Sequence, residues 1–585
     1  MSSKLIKHLE KLAEAYYKTE ESPDFRNNMQ ALSFLLSNET RLVVDLEFPL
    51  ILLALKENKT VTEIEIESFE QEHLVELFVD LLETNTTIKK IILKEFSALD
   101  NILNRLDWSL VSFEELEMNG GAFNDEGLQE LCSLINPGCS LKKLSLIDCN
   151  VTDKDLIYIS DLVEAGILHQ LALPHNEVGT PGVYHLIEAI KRNPNFTYLD
   201  VSNNQIGDAG LRYIGELLKQ KNGLKTVNVG GLKEYDNGYQ YLADGFTLNN
   251  QLEHISLFEA PLFPSFIKGL VIPSLKSLRL DDCGIDDRLA LYVAEVIKCT
   301  NLVEVDLSRN KFGAGGIYHI TEAIKFKKDL VSLDLCGNPI GSEGFKHIGN
   351  LLTTSHIRRL ILDATKIETQ GMINLVKGLN KNQKLESLFL ENCDFTKQGI
   401  IVLFKALRNN IYLSGLYLYL HDDSLLPHLA LSLSDMLKYN QGLRKLSCPL
   451  FKDEDYQIIQ SGLQINNSLV WVGYADSNYI DDERRFSAIN AYHELRPYTD
   501  RNLTIQDEKA RDILIASRNI MLLDLPAELL PFVFKTIFLQ SIAPMLFYKD
   551  CKKALLNRNS LGKIVSSVSF SQFNLIEQCI KYNKE

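Results

Sequence analysis

Cysteines, histidines and close glycine pairs are the residues best able to do chemistry in this sequence, and their spacing argues against a reaction centre. The chain holds ten cysteines, and no two are separated as C-x-x-C. Zinc sites and dithiol redox centres need that pairing, because one turn then presents two sulfurs to one ion or one bond. The trio His421-Asp422-Asp423 has donor types that suit a metal, but no second cluster at zinc spacing accompanies it, so it reads as a loop edge. Gly230-Gly231 interrupts a strand pattern and reads as a bulge or kink, and no G-x-x-x-x-G-K-[ST] phosphate loop occurs. Within 486–585 nothing pairs a nucleophile with a base. The expectation is a protein that is not an enzyme, with no catalytic residue, no metal and no cofactor.

The elements that must position any other functional side chain are set by a repeat. The pattern L-x-x-L-x-L recurs as LKKLSLIDC from Leu141, LHQLALPHN from Leu168, FTYLDVSNN from Phe196 and LKSLRLDDC from Leu275. It continues as LVEVDLSRN from Leu302, LVSLDLCGN from Leu330, IRRLILDAT from Ile357 and LESLFLENC from Leu385. Weaker copies begin at Val61, Ile88, Phe113, Leu224, Leu252, Leu413, Leu443 and Leu469. Most successive starts lie 27 or 28 residues apart, as from 302 to 330 and 330 to 357. In each copy the leucines alternate with polar residues, which predicts a short strand with leucines toward a core. A segment such as IGDAGLRYIGELLKQ follows, with Leu211, Ile214, Leu217 and Leu218 at helical spacing. One strand-turn-helix unit cannot bury its apolar faces alone, so the units must stack. The ninth position is Asn in Asn176, Asn204, Asn310 and Asn338, Cys in Cys149, Cys283 and Cys393, and Thr in Thr365. A small buried polar side chain there would satisfy loop backbone groups, and a buried thiol would be inert.

These units have the pattern of leucine-rich repeats. The expected fold class is α/β: a leucine-rich-repeat solenoid (horseshoe) with a parallel inner sheet and outer helices, capped by helical N- and C-terminal regions. The Asn/Cys alternation, the period near 28 and the turns Ile206-Gly207-Asp208-Ala209-Gly210 and Ile340-Gly341-Ser342-Glu343-Gly344 resemble the ribonuclease-inhibitor class. The resemblance implies a protein partner held on the inner face and loop edges. On that face the strand positions two, three, five, seven and eight are expected to look outward. Late copies place Phe389, Tyr417, Tyr419 and Trp471 there. Phe389 and Tyr417 should lie about 5 Å apart across the ladder. Middle copies place Asp281, Asp306, Asp334 and Asp363, with Arg279, Arg309, Arg358 and Arg359 beside them. Exposed aromatics anchor interfaces, and a mixed charged stripe steers a partner.

The organisation expected is an N-terminal cap over 1–60 with a degenerate first repeat, a solenoid of about 16 repeats over 61–485, and a helical domain over 486–585. The last of these holds Leu525-Pro526-Ala527-Glu528-Leu529-Leu530-Pro531-Phe532-Val533-Phe534. This stretch resembles the opening of an F-box, L-P-x-E-L-L-x-x-I-F. The resemblance implies docking of a Skp-type adaptor through Leu525, Pro526, Leu529, Leu530 and Phe534, as in a ubiquitin-ligase substrate adaptor. Two features depart from the pattern: the stretch follows the repeats, and SIAPMLFYKDCKKALLNRN lacks a Val-Cys-x-x-Trp ending. The plainer reading is a proline-started amphipathic helix. An enzyme housed in 486–585 is the least favoured alternative.

A formal charge of −16 over 585 residues repels phosphate backbones and argues against nucleic acid. No stretch approaches about 18 uninterrupted apolar residues, so no membrane insertion is expected. Unpaired cysteines suit a reducing compartment, and the N-terminus MSSKLIKHLEKLAEAYYKTEE lacks the apolar run of a Sec signal. The chain is rich in Asn, Ile, Lys and Leu, and its polar tail SFSQFNLIEQCIKYNKE suits a type IV secretion signal. With its repeats it resembles the leucine-rich-repeat effectors of intracellular bacteria such as Legionella. That resemblance implies a cytoplasmic protein delivered into a host cell and acting on a host protein.

Overall fold

A computed structural model describes residues 41–473, except 45–51, 53–54, 57, 67–71, 97–102, 122, 124–126, 233–237, 394, 419–425 and 448–452. The helices expected within 1–40 and the domain expected at 486–585 lie outside the described residues. The chain divides into two compact units, Met1–Gly284 with Cys299–Leu302 and Ile285–Lys298 with Val303–Glu585. Both are built on the same plan of strand, turn and helix.

The first unit holds β1 (Arg41–Val44), β2 (Glu63–Ile66), β3 (Lys90–Phe96), β4 (Glu115–Gly121), β5 (Lys143–Ile147), β6 (Gln170–Ala172), β7 (Tyr198–Asp200), β8 (Thr226–Asn228), β9 (His254–Ser256) and β10 (Ser277–Arg279). Each is parallel to the next. One in-register row runs through Leu42, Ile64, Ile91, Leu116, Leu144, Leu171, Leu199, Val227, Ile255 and Leu278. All are buried. The second unit holds β11 (Glu304–Asp306), β12 (Ser332–Asp334), β13 (Arg359–Ile361), β14 (Ser387–Leu390), β15 (Gly415–Leu418), β16 (Lys445–Ser447) and β17 (Trp471–Gly473). Its row is Val305, Leu333, Leu360, Leu388, Leu416, Leu446 and Val472, again parallel and buried. The fourth residue of each sequence copy supplies this row, so the leucine pattern alone fixes the register.

The helix after each strand buries one stripe. Gly207–Leu218 buries Leu211, Ile214, Leu217 and Leu218, and Gly341–Leu352 buries Phe345, Ile348, Leu351 and Leu352 at the same spacing. Neighbouring helices come close enough that a Cβ on Gly349 would sit 2.2 Å from the Asn374 carbonyl oxygen, and one on Gly378 would sit 2.1 Å from that of Gly349. Only glycine allows such backbone contact.

Buried side chains close the turns. The Asn204 amide donates to the carbonyls of Leu173, Val201 and Ser202 at 2.7, 3.2 and 3.0 Å, and its oxygen accepts from the Val178 N–H at 3.0 Å. Asn338 donates to Leu307, Leu335 and Cys336. Cys393 donates its thiol to the Leu362 carbonyl at 3.3 Å. Burial pushes the Cys149 and Cys393 thiols up to about 12, so both stay protonated and unreactive. A second asparagine series, not anticipated from the repeat, lies where helices return to strands. Asn193 donates to Val163 and Leu168 at 2.8 and 2.9 Å, and Asn466 accepts from the Ser468 and Leu469 N–H groups at 3.0 and 2.8 Å. In the copies from Phe113 to Leu385 the eighth position is left-handed, with φ of 58° at His175, 53° at Asn203, 55° at Arg309 and 67° at Gly337. That conformation turns the chain off the strand so that the ninth side chain can enter the core.

Candidate functional site: the open sheet face of the second unit

Strand alternation sends the leucine row toward the helices and leaves positions three and five on the other face. Across β13 to β17 the fifth-position row is Ile361, Phe389, Tyr417, Ser447 and Gly473. Phe389 and Tyr417 are stacked, with ring centroids 4.2 Å apart and planes within 2° of parallel. The Arg359 guanidinium lies 5.0 Å from the Phe389 centroid. A cation over an aromatic face is attracted by the ring quadrupole, so the arginine and two rings form one flat array. Both rings are part-exposed and Arg359 is exposed. Gly415 leaves room beneath: a Cβ there would lie 3.1 Å from the Tyr417 ring and 3.2 Å from the Ser387 hydroxyl. Sequence spacing had no signal for that glycine; it shows only when the ring folds back over its own strand.

The carboxylates lie earlier in the same unit. Asp306 and Asp334 are in register on β11 and β12. Each accepts from the N–H two residues on, Ser308 at 3.0 Å and Cys336 at 2.9 Å. Asp363 accepts from the Glu391 N–H at 2.6 Å. These aspartates therefore hold turns as well as charge. Burial pushes Asp334 and Asp363 up to about 6, and neighbouring carboxylates add to the rise at both.

The other candidate residues fall differently. Arg358 is ion-paired with Glu386 at 3.2 Å. Arg309 is exposed at a left-handed turn rather than on a strand. Trp471 is 36% exposed and in register with Lys445. Arg279 and Asp281 belong to the first unit; Asp281 is only 1% exposed and is bridged to Arg279 at 2.5 Å, with the guanidinium over the Phe258 ring. Packing of its own repeat thus takes Asp281 off the surface, where the alternating pattern placed it. Tyr419, the trio His421-Asp422-Asp423 and the adaptor-like residues Leu525, Pro526, Leu529, Leu530 and Phe534 lie outside the described residues. Among the described residues no group of three or more His, Cys, Asp or Glu is placed to hold a metal ion, and no helix is long and apolar enough to cross a membrane.

Parallel strands, one helix per strand and buried Asn, Cys or Thr at the turn define a leucine-rich-repeat solenoid. A leucine-rich repeat family model matches residues 192–215 and 298–320. The repeats are similar to those of ribonuclease inhibitor, at 39% identity over 83 residues in the mouse protein (Mus musculus) and 38% over 80 in the pig protein (Sus scrofa). Those matches cover 14% and 13% of this chain, and the chain spans 18% of the length of each inhibitor. A rat protein (Rattus norvegicus), NACHT, LRR and PYD domains-containing protein 1a allele 1, is 34% identical over 85 residues, which are 14% of this chain and 7% of that protein. Among solved structures, an internalin from Listeria monocytogenes matches at 15% identity and a TM-score of 0.29, over 77% of this chain and 94% of that one.

Proposed function

We propose that this chain is a non-catalytic scaffold that holds a protein partner on the open sheet face of its second unit. The observation that carries the reading is the array of Arg359, Phe389 and Tyr417. Flat aromatic groups, preorganised by stacking and part-exposed, lose little conformational freedom when a partner covers them. The aspartates on β11 and β12 give the same face a charged flank, which favours orientation of the partner over raw affinity. Similarity to ribonuclease inhibitor, a protein named for inhibiting another protein, supports binding as the role. A composition rich in Asn, Ile, Lys and Leu supports the narrower form, a bacterial effector whose partner is a host protein.

The test is affinity capture from host-cell lysate with the full chain and with a Phe389→Ala, Tyr417→Ala double variant. The wild type retains a protein that the variant binds about thirty-fold more weakly, at unchanged melting temperature. Equal retention by both chains overturns the reading. So does a large fall in melting temperature, which would make the rings part of the core.

A further inference from the structure

Position two of each strand copy lies at the edge where the strand begins, and the chain usually answers a charge there with an opposite one. Lys142 meets Glu114 at 2.8 Å, Lys225 and Lys276 both meet Glu253, and Arg358 meets Glu386 at 3.2 Å. Lys89 donates to the Ser112 carbonyl. Arg444 breaks the rule. Its N–H donates to the Ser414 carbonyl and its own carbonyl accepts from the Val470 N–H, so Ser414 and Val470 are its neighbours in the row. Neither is an acid, and the Ser414 hydroxyl is already given to the Glu386 carbonyl at 2.9 Å.

Nε and Nη1 of Arg444 are enclosed and make no hydrogen bond. Burial lowers the guanidinium pKa, which is the mark of a cation without compensation. Leaving such a charge unpaired is costly, whereas a carboxylate brought beside the guanidinium would neutralise it. Two further features of β16 point the same way. Lys445, the next residue, is exposed and has no ion-pair partner among the described residues. Ser447, on the same strand and in register with Tyr417, has a buried hydroxyl without a hydrogen bond. Unanswered donors on Arg444, Lys445 and Ser447, at and just before β16, in a chain of net charge −16, mark a local exception to its electrostatics.

We infer that Arg444, with Lys445 beside it at the start of the strand paired with that of Tyr417, is a receptor for a carboxylate side chain of the protein partner. The inference rests on the proposed binding face and adds the chemistry of the partner: an acidic peptide segment carrying an aromatic or apolar group. A phosphate source is disfavoured, because Asp306 and Asp334 on β11 and β12 of the same unit repel a doubly charged group more strongly.

The experiment uses the full chain and two terminally blocked, fluorescein-labelled heptapeptides, one alternating glutamate with phenylalanine and one with glutamine in place of glutamate. Fluorescence anisotropy should give about tenfold tighter binding of the glutamate peptide. The Arg444→Gln variant should erase that preference, while Tyr417→Ala should weaken both peptides alike. Arg444→Met should melt at the same temperature as wild type or higher, because an uncompensated charge has been removed. The inference is overturned if the glutamate peptide fails to bind, if both peptides bind wild type equally, if Arg444→Gln keeps the preference, or if Arg444→Met melts several degrees lower. Loss of the preference in Arg444→Gln with no effect of Tyr417→Ala would instead remove the aromatic reading and leave the carboxylate receptor standing.

Discussion

The first strands of the first unit and the later strands of the second share one backbone register and differ in how their outward residues meet. On β1 to β5, Arg41 bridges Glu63 and Glu65 at 3.1 and 2.6 Å, Lys94 also holds Glu65, Lys90 reaches Glu117 at 3.0 Å, and Lys143 reaches Glu115 at 3.3 Å. Each charge is answered on a neighbouring strand. On β11 and β12 carboxylates follow one another in register, on β14 and β15 two rings stack, and Arg444 has no acidic partner among the described residues. A self-paired face has little to gain from a partner, because its charges are already neutralised. A face of adjacent like charges and part-exposed rings gains on being covered. Side-chain pairing across the ladder, rather than the ladder, separates the self-paired wall from the wall proposed to bind a partner.

The comparison can be broken most sharply at the core beneath both faces. Leu144 and Leu333 are fully buried on the leucine rows of the first and second units. Leu144→Ala and Leu333→Ala should each cost about 2–5 kcal/mol in urea unfolding, since each opens a cavity in a packed repeat. Unchanged stability in either would refute the inward assignment of that row.

The electrostatic difference predicts opposite pH signs. Asp334 binds its proton more tightly when folded, at about 6 against 3.8. Its contribution to stability is therefore fully present below about pH 4 and declines as pH rises toward 6. Asp334→Asn keeps the acceptor for the Cys336 N–H and removes the buried charge, so it should stabilise by about 1–2 kcal/mol at pH 7.5 and by nothing near pH 3.5. Glu65 is the reverse case, because hydrogen bonds from Lys94 and Arg41 hold its pKa low. Glu65→Gln should destabilise at neutral pH, and its penalty should fade as acid protonates the wild-type carboxylate. Thermal melts of both variants from pH 3.5 to 7.5 decide the matter; parallel profiles would dissolve the contrast between the two faces.

The smallest effect sharpens the aromatic array. Gly415→Ala places a methyl against the Tyr417 ring and should tilt it out of its stack by a few tenths of an ångström. Partner binding should weaken about threefold, with a stability change within about 0.5 kcal/mol. A full-strength interaction with this variant would show that the stack geometry does not matter.

Much of the fold was legible because its information is local. The recurrence of L-x-x-L-x-L every 27 or 28 residues determines strand, register, helix face and the buried ninth side chain, since each follows from which residues must leave water. The neighbouring aromatics Phe389 and Tyr417 were readable for the same reason: equal positions in adjacent copies must be side by side. The return-turn asparagines went unread because they lie outside the leucine pattern, although Asn193, Asn382 and Asn410 each stand three residues before a copy begins.

What the sequence could not determine is how outward side chains choose partners. Arg279 and Asp281 read as surface residues, yet one folds over a phenylalanine ring and pulls the other into burial. Arg358 finds Glu386, while Arg444, at the same position of another copy, finds no acid among the described residues. Periodicity assigns a residue to a face. Only packed coordinates decide which groups come within hydrogen-bonding distance, because that depends on side-chain reach across strands about 5 Å apart and on how much water the surroundings exclude.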